Sequence, residues 1–196
     1  MALLEILKFP DPRLRIKAKT VSSINPKLKQ LAQNMLETMK HENGVGLAAT
    51  QIAQPIRLLT ADTSSELQEL NNDENSRYSA SSLKQDLVRH IKQPLILFNP
   101  EILSHSGQVI YSEGCLSFPS YYADVKRAEV IEVKAMNEQG KEISFKTDGL
   151  LSVCIQHEID HLNGKLFIDH LSPIKAKKLK EEIKKNGYPT RKQVKN

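Results

Sequence analysis

Within residues 153–164, Val-Cys-Ile-Gln-His-Glu-Ile-Asp-His-Leu-Asn-Gly, two histidines stand four positions apart, His157 and His161. A helix makes that spacing useful. At 3.6 residues per turn the imidazoles lie one above the other on one face and can converge on a single cation. Glu158 leans toward the same pocket, where its carboxylate can take a proton from an activated water. The flanks support a helix: Asp148-Gly149 offers a start, Leu150, Leu151, Val153, Cys154, Ile155, Ile159 and Leu162 are apolar, and Gly164 offers a stop. A buried helix whose histidines satisfy carbonyls or neighbouring acids is the competing explanation, and the His-Glu-x-x-His pattern favours the metal.

At 196 residues the chain is long enough for one domain with a real core, and its 39% hydrophobic content fits a globular protein. No apolar run approaches the roughly 20 residues that span a bilayer. The opening Met-Ala-Leu-Leu-Glu-Ile-Leu-Lys sets charges inside its apolar stretch and lacks a basic-then-apolar leader pattern, so a cytoplasmic protein is expected. Its two cysteines, Cys115 and Cys154, cannot build a disulfide framework. Charge is uneven. Residues 173–196 hold nine Lys or Arg against two Glu, while the preceding 172 carry 19 basic and 21 acidic residues. The basic character therefore belongs to the tail, and the chain divides into a nearly neutral body at 1–172 and a basic helix and tail at 173–196.

Taken in order, residues 3–20 are expected to be irregular, because Pro10 and Pro12 remove helix donors. Asn25-Pro26 then caps an amphipathic helix with Leu28, Leu31, Met35, Leu36 and Met39 on one face, ending near Asn43-Gly44. In Gly44-Val-Gly-Leu-Ala-Ala-Thr-Gln51 the glycines allow close backbone approach, and the Gln51 amide can donate to an oxyanion. Residues 56–61 and 95–98 have the pattern of buried strands. The polar stretch 62–82 between them reads as a surface insertion, and Ser82 can cap a short helix with Leu83, Leu87, Val88 and Ile91 on one side and His90 on the solvent face. Strands are expected over 108–112, 129–136 and 142–146, the last two joined by the Asn137-Glu-Gln-Gly140 turn. Ser172-Pro173 starts a final helix that stops at Asn186-Gly187. The fold class is α+β: mixed and antiparallel strands packed around a central metal-binding helix, with one helix before it and one after.

A catalytic tetrahedral site needs a third protein ligand and one open position. Cys115, Cys154, Asp160, Asp169 and His170 are the options. Three ligands from one straight helix seldom close a tetrahedron, so Cys154 is expected to line a pocket, and Asp160 points to another face. Cys115, beside a glycine at a strand end, can approach from outside the helix, and spacing favours it.

Three motifs, Gly44-Val-Gly-Leu-Ala-Ala-Thr-Gln51, Glu113-Gly-Cys-Leu-Ser117 and Gln156-His-Glu-Ile-Asp-His161, stand in the order of the signature motifs of peptide deformylase. With the Pro-Asp-Pro-Arg-Leu-Arg entry at Pro10 to Arg15, the chain resembles a bacterial-type member over nearly its whole length. The resemblance implies that Cys115, His157 and His161 bind the metal, that Glu158 is general base and acid, and that Gln51 and the Leu116 N–H form the oxyanion hole. It implies ferrous iron as the working ion, with zinc, nickel or cobalt as substitutes. Val45-Gly46 and Glu113-Gly114 would pair with an N-formylmethionyl peptide, and Val45, Tyr111, Leu150, Val153, Cys154 and His157 would line its methionine pocket. Hydrolysis would release formate and a free N-terminus.

Bacterial relatives often carry arginine where this chain has Tyr122, while Arg127, the second usual arginine, is present, so contacts at the substrate rim are expected to differ. The 62–82 insertion is longer than in compact members. A zinc metallopeptidase on the same helix would need a downstream ligand such as Asp169 or His170. A structural metal would need closure by both cysteines and both histidines. The basic tail reads equally as a solvated face or as a surface for ribosomal RNA, and no membrane or DNA partner is expected.

Overall fold

The computed structural model describes residues 2–65 and 86–188, and its architecture is α+β. Helix α1 (Pro26–His41) starts where Asn25 accepts the Leu28 N–H at 3.0 Å, with Pro26 preset in the first turn. A five-stranded antiparallel sheet follows in the order β1 (Gly46–Ala48), β2 (Leu58–Ala61), β3 (Leu95–Ser106), β6 (Val130–Met136) and β7 (Glu142–Thr147). The intervening β4 (Val109–Cys115) and β5 (Phe118–Arg127) form a separate two-stranded ribbon. Helix α2 (Gly149–Leu162) carries the two histidines, and α3 (Pro173–Asn186) closes the described chain.

Strand periodicity decides which helix covers which face. Leu47, Leu58, Ile96 and Phe98 pack with Ala32, Met35 and Met39 of α1, while their neighbours Ala48, Leu59 and Leu97 pack with Leu151, Ile155 and Ile159 of α2. Alternate residues of a strand point to opposite faces, so a sheet covered on both sides buries every residue of β2. The sheet is thus sandwiched between α1 and α2, and nearly all residues of α2 are buried. A third cluster joins β5 to the segment after α2 and to α3: Phe118 stacks on Phe9 and meets Phe167 edge-on, both at 4.9 Å, and Ile183 of α3 is buried beside them.

Most expected elements are in place, with differences that have physical causes. The strand expected from residue 56 begins at Leu58, because Ile56 and Arg57 instead engage Lys19, the first as an isolated bridge and the second through a 2.8 Å N–H bond. Strand β3 runs eight residues past Phe98 because its exposed end continues pairing with β6 up to Ser106↔Val130. Strand β5 has no counterpart in the sequence expectation, since Pro119 and the left-handed Ser120 (φ 67°) interrupt its alternation. Residues 66–82 of the insertion and 83–85 of the helix expected after Ser82 lie outside the described residues. Beyond them stands a 3₁₀ turn at Val88–His90, with the Leu87 and Val88 N–H groups capped by the Asp148 carboxylate at 3.1 and 3.0 Å, and His90 is exposed as expected. Among the described residues no helix is long and apolar enough to cross a membrane.

Gly164 ends the turn after α2 with φ 72°, and a Cβ there would collide with the Arg15 carbonyl oxygen. Both the left-handed backbone and the clash oppose a side chain. Gly164→Ala is expected to cost about 1–3 kcal/mol, read as a lower midpoint in denaturant titration.

Candidate active site

Glu113 and Cys115, alternate residues of β4, meet successive turns of α2 at His157 and His161. Two strand residues advance about 6.7 Å and four helix residues about 6 Å, so the pairs Glu113/Cys115 and His157/His161 can face each other in register. They do: His157 Nδ1 lies 2.8 Å from Glu113 Oε2, and His161 Nε2 lies 3.2 Å from Cys115 Sγ. One ligand atom from each of Cys115, His157 and His161 falls within 4.8 Å of the others.

This donor set fits a divalent cation. The Glu113 bond occupies Nδ1 of His157 and leaves the Nε2 lone pair for an ion. Burial pushes His161 well below the ordinary histidine range, with the His157 charge acting the same way, so it is held in the neutral form that ligates. Burial would also lower His157, but Cys115, Glu113 and Glu158 outweigh it and raise the group. The same negative groups that favour a proton on His157 would favour a cation in its place.

Glu113 is itself fixed. Arg127, only 6% exposed, reaches Oε1 through Nε at 2.6 Å and Oε2 through Nη2 at 3.0 Å, and its Nη1 donates to Asp160 Oδ2 at 2.5 Å. His170 meets the same Asp160 oxygen at 2.6 Å. Arg127 is thus a buried anchor behind His157 and the Glu113 carboxylate. Tyr122 does sit at the rim, 63% exposed, its ring so close to Gly114 that a Cβ there would come within 2.6 Å.

Glu158 is buried on α2 with Oε2 making no hydrogen bond, and burial pushes its carboxyl up to about 7 against the pull of His157. Gly46 on β1 makes room for it, since a Cβ would collide with Glu158 Oε1 and come within 2.7 Å of Cys154 Sγ. Gln51 stands in a buried 3₁₀ turn, Ala49–Ile52. Its Oε1 accepts the Ala48 N–H at 2.8 Å, which turns Nε2 toward Ser117 Oγ at 3.2 Å and Cys115 Sγ at 3.6 Å.

Of the options for a third ligand, the structure brings Cys115 to the histidines. Asp169 pairs with Arg15, His170 with Asp160, and Cys154 donates to the Val45 carbonyl at 3.3 Å. Leu150, Val153 and Cys154 lie buried one and two turns before His157 on its own face, and Tyr111 is half-buried on β4. Glu113 spends its carboxylate on His157 and Arg127, so only its backbone is left to meet a peptide. Ser117 was not anticipated. It is fully buried, and a serine two residues after a metal-type cysteine carries no signal of that.

Burial alone would raise Asp160, but the His170 hydrogen bond and the Arg127 charge overcome it and hold the carboxyl at about 2. A depressed folded value stabilises above the unfolded value near 3.8 and is lost as pH falls through 2. Asp160→Asn is expected to cost about 2 kcal/mol at neutral pH, and urea titrations should find the gap closing between about pH 4 and pH 2.

The family model described as polypeptide deformylase matches residues 3–177. A peptide deformylase of Pseudoalteromonas translucida is 43% identical over 187 residues, covering 95% of this chain and 98% of the relative. The crystal structure of a peptide deformylase from Legionella pneumophila superposes with TM-score 0.77 at 38% identity, covering 100% of this chain and 99% of that one. That of the Ehrlichia chaffeensis peptide deformylase in complex with actinonin gives 0.80 at 32% identity, covering 96% and 100%. Matched from its entry segment through the histidine helix, the chain belongs to the polypeptide deformylase family.

Proposed function

We infer that this chain is a metal-dependent hydrolase that removes the formyl group from the N-terminal methionine of nascent polypeptides. The observation that carries the reading is the convergence of Cys115, His157 and His161 with a buried carboxylate, Glu158, and a fixed amide donor, Gln51. Cys115, His157 and His161 would hold a divalent ion, which would supply a lowered pKa for water and polarisation of the formyl carbonyl. Glu158, with its carboxyl near 7, is matched to accept the proton of the attacking water and return it to the departing amine. As the C–N bond breaks, formate and a free amino terminus leave. Gln51 Nε2 and the Leu116 N–H meet the charge that develops on the formyl oxygen. The backbones of Val45-Gly46 and Glu113-Gly114 pair with the extended peptide, and Tyr111, Leu150, Val153 and Cys154 surround its methionine side chain.

Ferrous iron is the ion we assign, with zinc, nickel or cobalt able to replace it; one thiolate and two imidazoles suit any of these. The protein works in the cytoplasm. Residues 1–172 form the catalytic body, and α3 with the following residues forms a basic docking element whose Ile183 holds it to that body. Its exposed lysines suit ribosomal RNA, which places the enzyme beside its substrate.

Anaerobic assays on formyl-Met-Ala-Ser test the reaction. Glu158→Ala is expected to lose formate release by about 10²–10⁴-fold with the ion still bound, and turnover that survives this change would refute the assignment of the base. Metal analysis of the anaerobically purified protein should find mostly iron. Truncation after Ser172 is expected to weaken salt-sensitive ribosome binding and to lower short-peptide hydrolysis without abolishing it; undiminished binding would remove the docking role.

A further inference from the structure

The two proposed oxyanion donors come from different parts of the fold, Gln51 from the turn after β1 and Leu116 from the connection between β4 and β5. Their relative position is set by backbone that belongs to neither. Leu7 N–H donates to the Gln51 carbonyl at 2.8 Å, and two residues later Phe9 N–H donates to the Ser117 carbonyl at 3.0 Å. Between them the Lys8 ammonium reaches the Leu116 carbonyl at 3.1 Å. The Ser117 hydroxyl then accepts from Gln51 Nε2 at 3.2 Å, which closes the loop across the site. Residues 7–9 are a strap laid over both elements. The strap is itself fastened by Tyr188, two residues beyond α3, whose hydroxyl donates to the Phe9 carbonyl at 2.8 Å and lies 3.5 Å from the Ser117 carbonyl. Tyr121 meets the Tyr188 ring edge-on at 5.9 Å, and its own hydroxyl donates to the Gly187 carbonyl at 3.1 Å.

We propose that Tyr188, acting through the strap at residues 7–9, is a positioning residue that sets the spacing of the Gln51 and Leu116 donors. The proposal rests on the oxyanion reading above. Stabilisation of a developing charge depends steeply on where the donors sit, and a displacement of about 1 Å can cost about a hundredfold. Substrate binding depends on other groups, the strand edges and the methionine pocket. Loosening the strap should therefore lower turnover and leave KM in place, the signature of an interaction made only in the transition state.

The experiment compares Tyr188→Phe, Lys8→Met, the double variant and Gln51→Ala in the iron-loaded enzyme, with amide hydrogen exchange on the same samples. Tyr188→Phe keeps the ring and removes only the hydroxyl. It is expected to lower kcat by about threefold to tenfold, to hold KM within about twofold, and to speed exchange at the Phe9 amide with no change in the thermal midpoint. Tyr188→Phe and Lys8→Met should be non-additive, because they fasten one segment. Gln51→Ala should lower kcat by about a hundredfold or more. A Tyr188→Phe enzyme with wild-type kcat beside a crippled Gln51→Ala would overturn the strap and leave the oxyanion reading standing. A Gln51→Ala enzyme with wild-type kcat would overturn the oxyanion reading and the strap with it. A rise in KM matching the fall in kcat, with a lower thermal midpoint, would mark general loosening and also overturn the proposal.

Discussion

The ion pair between Arg127 and Glu113 is out of water on both sides, and the site is built against it. Taking two charges into a protein interior is costly, and a pair of this kind is weak evidence of stability by itself. Its effect here is orientation. Two donors of one guanidinium seize both oxygens of Glu113, so the carboxylate has one direction left in which to meet His157. That contact fixes which imidazole nitrogen faces the ligand cluster. Asp160 holds the third side of the guanidinium, from the helix that carries His157 and His161. Ribbon and helix are thus tied by charge where Cys115 and Glu113 meet the two histidines, and loss of Arg127 or Glu113 alone would strand a buried charge at about 3–5 kcal/mol.

Around that anchor, close approach does the remaining work. Helix α2 lies against the face of the sheet that includes Ala48, and β1 comes near enough that Gly46 has no space for a side chain. The proximity explains the environment of Glu158: sheet on one side and helix on the other exclude water, and the carboxyl rises to where it can exchange protons near neutrality. Packing and reactivity have a single cause here.

Much of this was legible in the residues. The His157/His161 helix, the caps at Asn25-Pro26 and Ser172-Pro173 and the Asn137–Gly140 turn are local patterns, and each lies where its chemistry indicates. Cys115 as the ligand nearest the histidines followed from an argument about what one straight helix cannot do. Strand β5 was hidden by Pro119 and Ser120, and with it went the burial of Arg127, since Lys126-Arg127 looks like any exposed basic pair until the strand that alternates them is seen. The bonds at residues 7–9 were hidden for another reason. They run between peptide groups, which every sequence has, so no residue type announces them.

Phe9 and Tyr188 are 179 positions apart. A ribosome adding about 5–20 residues per second takes about 10–35 seconds to cross that distance, which means that the strap waits on a hydroxyl made long after it. The cluster of Cys115, His157 and His161, all earlier than residue 162, can be assembled while synthesis continues. The bond from Tyr188 to the segment over Gln51 and Ser117 cannot. In time as well as in space, the site is completed from the outside, and its last part arrives only when almost the whole described chain has been made.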